Sequence, residues 1–236
     1  NRLMMLDIIA NNNWKRPVYF SGGAFDDEDY IWMKNYLQLD GMVYKLVPVK
    51  TAIPKNGGLL EMGQIDSDKM YANVMKWDWG NSESTSIYHD PETRRNSITY
   101  RTNLARLMNK LIREGKNDKA KNIIDLAMAK MPLEKFDYYS LIDPFAKGYY
   151  AIGEKAKAKE LLQQLITKYK ENLDYYSKLE PSEQTDIAIE IITDIERYRG
   201  LLQVMKESGD IAFYNKSKIP FNTYVNIFER FGREKE

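Results

Sequence analysis

The sequence predicts an α+β protein that is mostly helical: a small α/β layer over residues 1–50, an irregular connection with one helix over 51–99, and helical hairpins over 100–236. Three observations predict it. Helix-like and strand-like patterns alternate in the first fifty residues, turn-forming residues punctuate an aromatic-rich middle, and apolar residues recur at helical spacing from Tyr100 onward. With 43% hydrophobic and 29% charged residues, the 236-residue chain has the composition of a soluble globular protein with enough apolar material for a core.

In order along the chain, Leu3, Leu6, Ile9 and Ala10 share one helical face, and Asn11-Asn12-Asn13 breaks that helix. The helix opens without a capping residue or an initiating Met, which predicts that the chain is a piece of something longer. Pro17 to Phe20 is short and rich in strand formers, and Gly22-Gly23 ends it. A second helix is expected from near Asp27 to about Leu39, then a turn at Asp40-Gly41 and a second strand over Met42–Val49. A helix between two strands predicts that they run parallel. Ile53 to Gly58 reads as a loop, and Asp66-Ser67-Asp68 as the cap of a helix carrying Met70, Val74 and Trp77 that stops at Gly80-Asn81. Ser82 to Ser97 reads as an irregular but ordered connection with a turn at Asp90-Pro91, because Ile87, Tyr88 and the nearby tryptophans are too apolar for a free linker.

The helical part carries an internal repeat. Leu104, Leu107 and Leu111 fall on a first helix, Gly115 at a turn, Ala120 and Ala127 at close-packing positions of a second helix, and Pro132 at its end. Phe145, Ala146 and Tyr149, then Gly153, then Ala158, Leu162 and Leu165 repeat the arrangement. This is tetratricopeptide-like spacing, with a period of about 34 residues, in which small residues let paired helices cross closely. Met108 and Ala146 stand at the usual small or glycine position, and Lys170 replaces the closing proline. Pro181 is expected to start another long helix burying Ile187, Ile191, Ile195, Leu202 and Met205, with Gly209 as the turn of a third, degenerate unit. Pro220 to Phe228 should pack back onto the body, and Gly232 to Glu236 should fray.

Composition removes several function classes. Lys plus Arg is 35 against 34 for Asp plus Glu, so the basic surplus of a nucleic-acid binder is missing. The absence of Cys excludes disulfides, thiolate catalysis and Cys-based metal sites, and a single His excludes a multi-histidine site. No stretch approaches the roughly 18–20 apolar residues of a membrane span. Arg2, Asp7 and Lys15 interrupt the short apolar run at the N-terminus, so it does not read as a signal peptide.

The remaining candidates are weighed against ordinary structural roles. Asp26, Asp27, Glu28 and Asp29 could hold a divalent cation, but they lack calcium-loop spacing and sit where a helix start favours acids as caps. Ser21-Gly22-Gly23 lacks a glycine fingerprint for phosphate, and the acids behind it would repel one. His89, with no nucleophile motif to serve, reads as a surface turn residue beside Asp90-Pro91. Arg94-Arg95 and Lys15-Arg16 read as solvated or locally paired cations. Trp14, Trp77 and Trp79 could stack on sugar rings, although tryptophan more often serves as core. On the first helices of the repeats, Arg106, Asn109, Arg113, Lys147 and Tyr150 would line a concave groove able to grip an acidic peptide, or the repeats serve only as a packed spacer. Nothing in these patterns asks for a metal or a cofactor.

Ala10 to Phe20 (Ala-Asn-Asn-Asn-Trp-Lys-Arg-Pro-Val-Tyr-Phe) and Tyr36 to Val49 resemble the C-terminal soluble region of a bacterial multi-pass membrane-protein family of unknown function. Asp68-Lys69-Met70-Tyr71, Trp79-Gly80-Asn81, Tyr88-His89-Asp90, Arg94-Arg95 and the repeat region from Arg101 resemble further stretches of it in the same order. The membrane half of that family resembles protein O-mannosyltransferases that use lipid-linked sugars. The resemblance implies a soluble portion on the periplasmic face of the inner membrane, with the family's own N-terminal transmembrane domain as a partner. Because the acidic catalytic motif of such transferases lies in the membrane half, no catalytic residue carries over to this chain.

Two expectations result. In the first, the chain is a non-catalytic accessory domain of a membrane glycosyltransferase that recognises an acceptor protein or peptide, or shapes the acceptor channel, and is inert alone. In the second, it is a stand-alone tetratricopeptide-type interaction scaffold with no role in sugar transfer.

Overall fold

A computed structural model describes residues 2–21, 32–51 and 62–231. The architecture is α+β and mostly helical, and it divides between Asp137 and Tyr138 into two compact units. The expected loop at Ile53–Gly58, the acidic run Asp26–Asp29, the Gly22-Gly23 pair and the frayed end at Gly232–Glu236 lie outside the described residues.

The first unit starts with helix α1 (Arg2–Asn12), which forms as its pattern predicts but buries none of its residues. Strand β1 (Tyr19–Ser21) follows. Beyond a 3₁₀ turn at Lys34–Tyr36, β2 (Leu37–Asp40) and β3 (Val43–Leu46) form a hairpin, with Asp40 opposite Val43. Its loop is Gly41-Met42, with Gly41 at φ +67°, the first-position glycine that a tight hairpin favours. A two-residue strand β4 (Gln64–Ile65) runs parallel to β2, giving the sheet order β1-β3-β2-β4.

The sheet corrects two sequence expectations. Residues 37–40 are strand rather than the end of a helix: Leu37 and Leu39 point inward while Gln38 and Asp40 do not, an alternation of period two. Because β3 is entered by a hairpin turn instead of a helical crossover, β1 and β3 are antiparallel, with Tyr19 opposite Lys45 and Ser21 opposite Val43.

Helix α2 (Ser67–Val74) is capped by Asp66, whose carboxylate accepts from the Lys69 amide at 3.2 Å. It ends at Val74, so Trp77 stands on the turn beyond it rather than on the helix. Helix α3 (Pro91–Arg113) starts nine residues earlier than the periodicity implies, taking in residues expected to be irregular. Asp90 accepts from the Glu92 and Thr93 amides at 2.9 and 3.0 Å, and Pro91 occupies the first helical position. The Asp-Pro pair is thus a helix start, not a chain reversal. Helix α4 (Asn117–Lys130) packs on α3, closing a core of Leu104, Leu107, Met108 and Leu111 against Ala120, Ile123, Ile124 and Ala127. A single turn, α5 (Leu133–Phe136), ends the unit.

The second unit contains α6 (Asp143–Ala151), α7 (Lys155–Tyr176), α8 (Pro181–Asp186), α9 (Ala188–Glu207) and α10 (Ile211–Ile227). The long helix expected from Pro181 is broken at Ile187, where φ is −111° and ψ 25°. Its apolar face survives the break: Ile191, Ile195, Leu202 and Met205 are buried. Phe221, Tyr224 and Phe228 are buried as well, so the tail packs back as its composition requires.

The helix pairs α3–α4, α6–α7 and α9–α10 share one turn. Gly115, Gly153 and Gly209 all have φ between +72° and +86°. After each glycine, the next amide bonds back to the carbonyl five residues earlier, from Lys116 to Leu111, Glu154 to Tyr149 and Asp210 to Met205, each at 2.9 Å. The glycine amides bond to the Ile112, Tyr150 and Lys206 carbonyls. This is the paired hydrogen bonding of a Schellman ending, which satisfies the last carbonyls of one helix while turning the chain into the next.

Candidate functional site

In the first unit, Trp77, Trp79 and Tyr100 converge on a cleft of about 540 Å³, also lined by Met42, Asp78, His89, Thr93, Asn96, Ser97 and Phe136. Each pair of the three rings has its centroids 5.6 Å apart, Trp77 meeting Tyr100 edge-on at 87° and Trp79 at 56°.

Local sequence places each wall. Trp77 follows the end of α2, its amide bonded to the Val74 carbonyl at 3.1 Å. Gly80 and Asn81, at φ +54° and +59°, reverse the chain after Trp79. The Ser82 hydroxyl then donates to the Lys130 carbonyl at 2.7 Å, Lys130 pairs with Glu83, and Lys135 donates to the Thr85 carbonyl at 3.0 Å. These bonds fasten the loop to α4 and α5. The floor is the β2–β3 hairpin turn, fixed by Asn103 donating to the Gly41 carbonyl at 2.9 Å and by Asn73 donating to Asp40 at 2.8 Å. Thr93, Asn96, Ser97 and Tyr100 form the remaining wall from α3, at the i, i+3, i+4, i+7 spacing of one helical face.

His89 is not the surface turn residue its neighbours predict. It is 8% exposed, its ring lies 4.5 Å from that of Phe136, and its Nε2 is 2.8 Å from the Ser82 carbonyl. A carbonyl only accepts, so Nε2 is the donor of this bond. Trp79 Nε1 is sealed from solvent and makes no hydrogen bond among the described residues, an arrangement that costs about 1–3 kcal/mol.

Of the three tryptophans singled out in the sequence, Trp77 and Trp79 share the cleft, whereas Trp14 stands apart from it, exposed beyond α1 at φ +56°. The five groove residues fall in both units. In the first, Arg106 is half-buried and donates to the Met62 and Gly63 carbonyls at 2.7 and 2.9 Å, while Asn109 and Arg113 are exposed on α3. In the second, Lys147 pairs with Glu207 at 3.5 Å, and the Tyr150 hydroxyl donates to Asp210 at 3.1 Å. Burial pushes Asp210 upward, but the hydrogen bonds from Lys159 and Tyr150 outweigh it and hold the carboxyl below its ordinary value.

Sequence reasoning missed Thr93, Asn96 and Tyr100 as cleft residues, because their common face exists only once α3 starts at Pro91. It also missed a polar cluster in the second unit. Burial pushes the Asp143 carboxyl up to about 6 despite the nearby charges of Lys147 and Arg197, and its Oδ1 is sealed without a hydrogen-bond partner among the described residues. The Tyr169 hydroxyl is likewise sealed and is pushed up by burial. Among the described residues, no group of three His, Asp or Glu side chains is placed to hold a metal ion, and no helix is long and apolar enough to cross a membrane.

Residues 1–69 match the family model described as TMEM260-associated domain 2. The match covers α1 and the sheet and ends inside α2; of the described cleft-lining residues it includes Met42 alone. No curated protein and no solved structure matches the chain.

Proposed function

We propose that this chain is a non-catalytic accessory domain of a membrane glycosyltransferase resembling the protein O-mannosyltransferases, that it lies on the periplasmic face of the inner membrane, and that it recognises the acceptor. The observation that carries the membrane-protein part of this reading is the family match over residues 1–69, to a domain named for its association with a transmembrane protein; the transferase part rests on the resemblance of the sequence motifs. The order of motifs from Trp14 to Arg95 supports the same placement. Glycine-turned helix pairs at α3–α4 and α6–α7, with Ala120 and Ala158 buried at the close crossings, support a tetratricopeptide-like build suited to holding a polypeptide. Acceptor recognition then falls to surfaces of these helices and to the aromatic cleft beside the first pair.

The test is a sugar-transfer assay in membranes, comparing the full-length protein with one lacking these 236 residues. Loss of glycosylated product while the membrane part still inserts supports the reading. Unchanged transfer makes the domain a separate interaction scaffold, and absence of transfer by both forms removes the transferase assignment.

A further inference from the structure

We infer that the cleft framed by Trp77, Trp79 and Tyr100 is a binding site for a neutral hexopyranose. The inference rests on the acceptor-recognition reading for its biological setting and names the ligand class of that recognition.

Four observations lead to this class. The volume of about 540 Å³ lies within the range of small-ligand sites and accommodates one or two sugar rings. A pyranose has an apolar face of C–H groups and an edge of hydroxyls, and the cleft is built in the same two parts. Three aromatic rings held by mutual contacts supply a rigid apolar surface. Asp78, Thr93 and Asn96, all exposed or half-exposed, supply polar groups at its rim. Their chemistry suits hydroxyls: a carboxylate accepts from hydroxyls, and an amide both donates and accepts. Asp78 commits one oxygen to the Gly80 amide at 2.9 Å, which orients the carboxylate.

Charge decides between sugar types. No Lys or Arg is among the described residues that line the cleft, and Asp78 brings a carboxylate to its rim. A phosphate, a uronic acid or a nucleotide diphosphate would meet the Asp78 carboxylate with no Lys or Arg in that lining to offset it. The surface therefore fits an uncharged glycan unit on an acceptor or product rather than a nucleotide-sugar or lipid-phosphate donor.

The test uses the intact 236-residue chain with methyl α-mannopyranoside, methyl β-glucopyranoside and methyl β-galactopyranoside as probes, followed by saturation-transfer NMR and tryptophan emission. The expected result is saturable binding of at least one glycoside, weakened about five- to tenfold by Asn96→Ala and by Asp78→Ala. Trp77→Ala risks the fold, so the blocking variant is Asn96→Trp, which fills the cleft from an exposed helical position and should abolish binding. Three results would overturn the assignment: no binding of any of the three glycosides, binding unchanged in Asn96→Trp, or tighter binding of glycerol phosphate or adenosine. Sugar binding by a protein whose full-length form transfers no sugar would overturn the transferase reading alone. Transfer that depends on this domain without sugar binding would overturn only the cleft assignment.

Discussion

The space that a side chain at Gly41 would occupy is filled by the ring of Trp77. A Cβ built on Gly41 would lie 2.7 Å from Trp77 Cζ2, closer than real contacts allow. The hairpin turn and the aromatic cleft are therefore one piece of packing: the indole sits where it does because the turn beneath it has no side chain. Gly41 also holds φ at +67°, a conformation that costs other residues about 1–2 kcal/mol.

Gly41→Ala combines both penalties. We expect a stability loss of about 2 kcal/mol or more in urea denaturation, together with a shift in tryptophan emission as Trp77 moves. Unchanged emission with unchanged stability would show that the turn does not support the cleft.

Arg101 makes a second specific demand. Its side chain is wholly buried in α3 and donates to the Asp137 carbonyl at 2.5 Å and the Met131 carbonyl at 3.0 Å, so it holds both ends of α5. Arg94, two turns earlier, pairs with the Asp137 carboxylate at 2.6 Å. Arg101→Ala strips donors from two carbonyls and leaves a cavity, and should cost about 3 kcal/mol or more. Arg101→Lys cannot span both carbonyls and should fall between the parent protein and the alanine variant. A loss below about 1 kcal/mol for Arg101→Ala in the same denaturation experiment would show that the fold does not depend on this clasp.

These positions show where the sequence is legible. Periodicity locates the long helices α3, α4, α7 and α9 and their buried apolar residues, because an apolar stripe sustained over three or more turns is satisfied only by a helix with one buried face. The glycine turns at 115, 153 and 209 are readable for the same reason: a helix stop followed by a helix start leaves little choice of conformation. The hairpin is harder to read although its signal is present. Leu37, Leu39, Tyr44 and Leu46 alternate with polar or half-exposed neighbours around Asp40-Gly41, but a four-residue strand is too short to outweigh a helical pattern running into it. The cleft is half legible. Two tryptophans two positions apart draw attention, whereas His89, Asn96 and Tyr100 join them only through the start of α3 and the reversal at Gly80-Asn81, which are tertiary facts.

The start of α2 is fastened by charge. Lys116 donates to Asp68 at 2.8 Å and pairs with Glu114 at 2.9 Å, Lys119 donates to Asp68 at 2.7 Å, and the Ser67 hydroxyl donates to Glu114. Hydrogen bonds from Lys116 and Lys119 hold the Asp68 carboxyl down at about 2, and those from Ser67 and Lys116 do the same for Glu114. Folded values below the unfolded ones mean that this stabilisation is complete above about pH 4.5 and is lost as pH falls toward 2. Lys116→Met should therefore flatten the acid limb of a stability-against-pH curve by lowering its neutral plateau, and only modestly, since exposed pairs contribute little. An acid limb identical to that of the parent protein would discard the cluster as its cause.

Asp143 has the opposite sign. It opens α6, where a negative charge suits the helix start, and Lys147 and Arg197 also favour its ionised form; burial outweighs all three and pushes its carboxyl up to about 6. A folded value above the unfolded one means the folded state holds the proton more tightly. The unit accordingly loses stability as pH rises from about 4 to about 6, and above that range carries a constant penalty for the buried charge. Asp143→Asn keeps the shape and removes the ionisation. It should raise the stability of the protein by about 1–2 kcal/mol at pH 8, after allowance for the residual exposure of the carboxyl, and the gain should shrink to nothing near pH 4. Thermal melts at the two pH values decide it. A gain that is the same at both would mean that the substitution acts through packing around Tyr169 and Gly200, and that the charge on Asp143 is not what burial opposes.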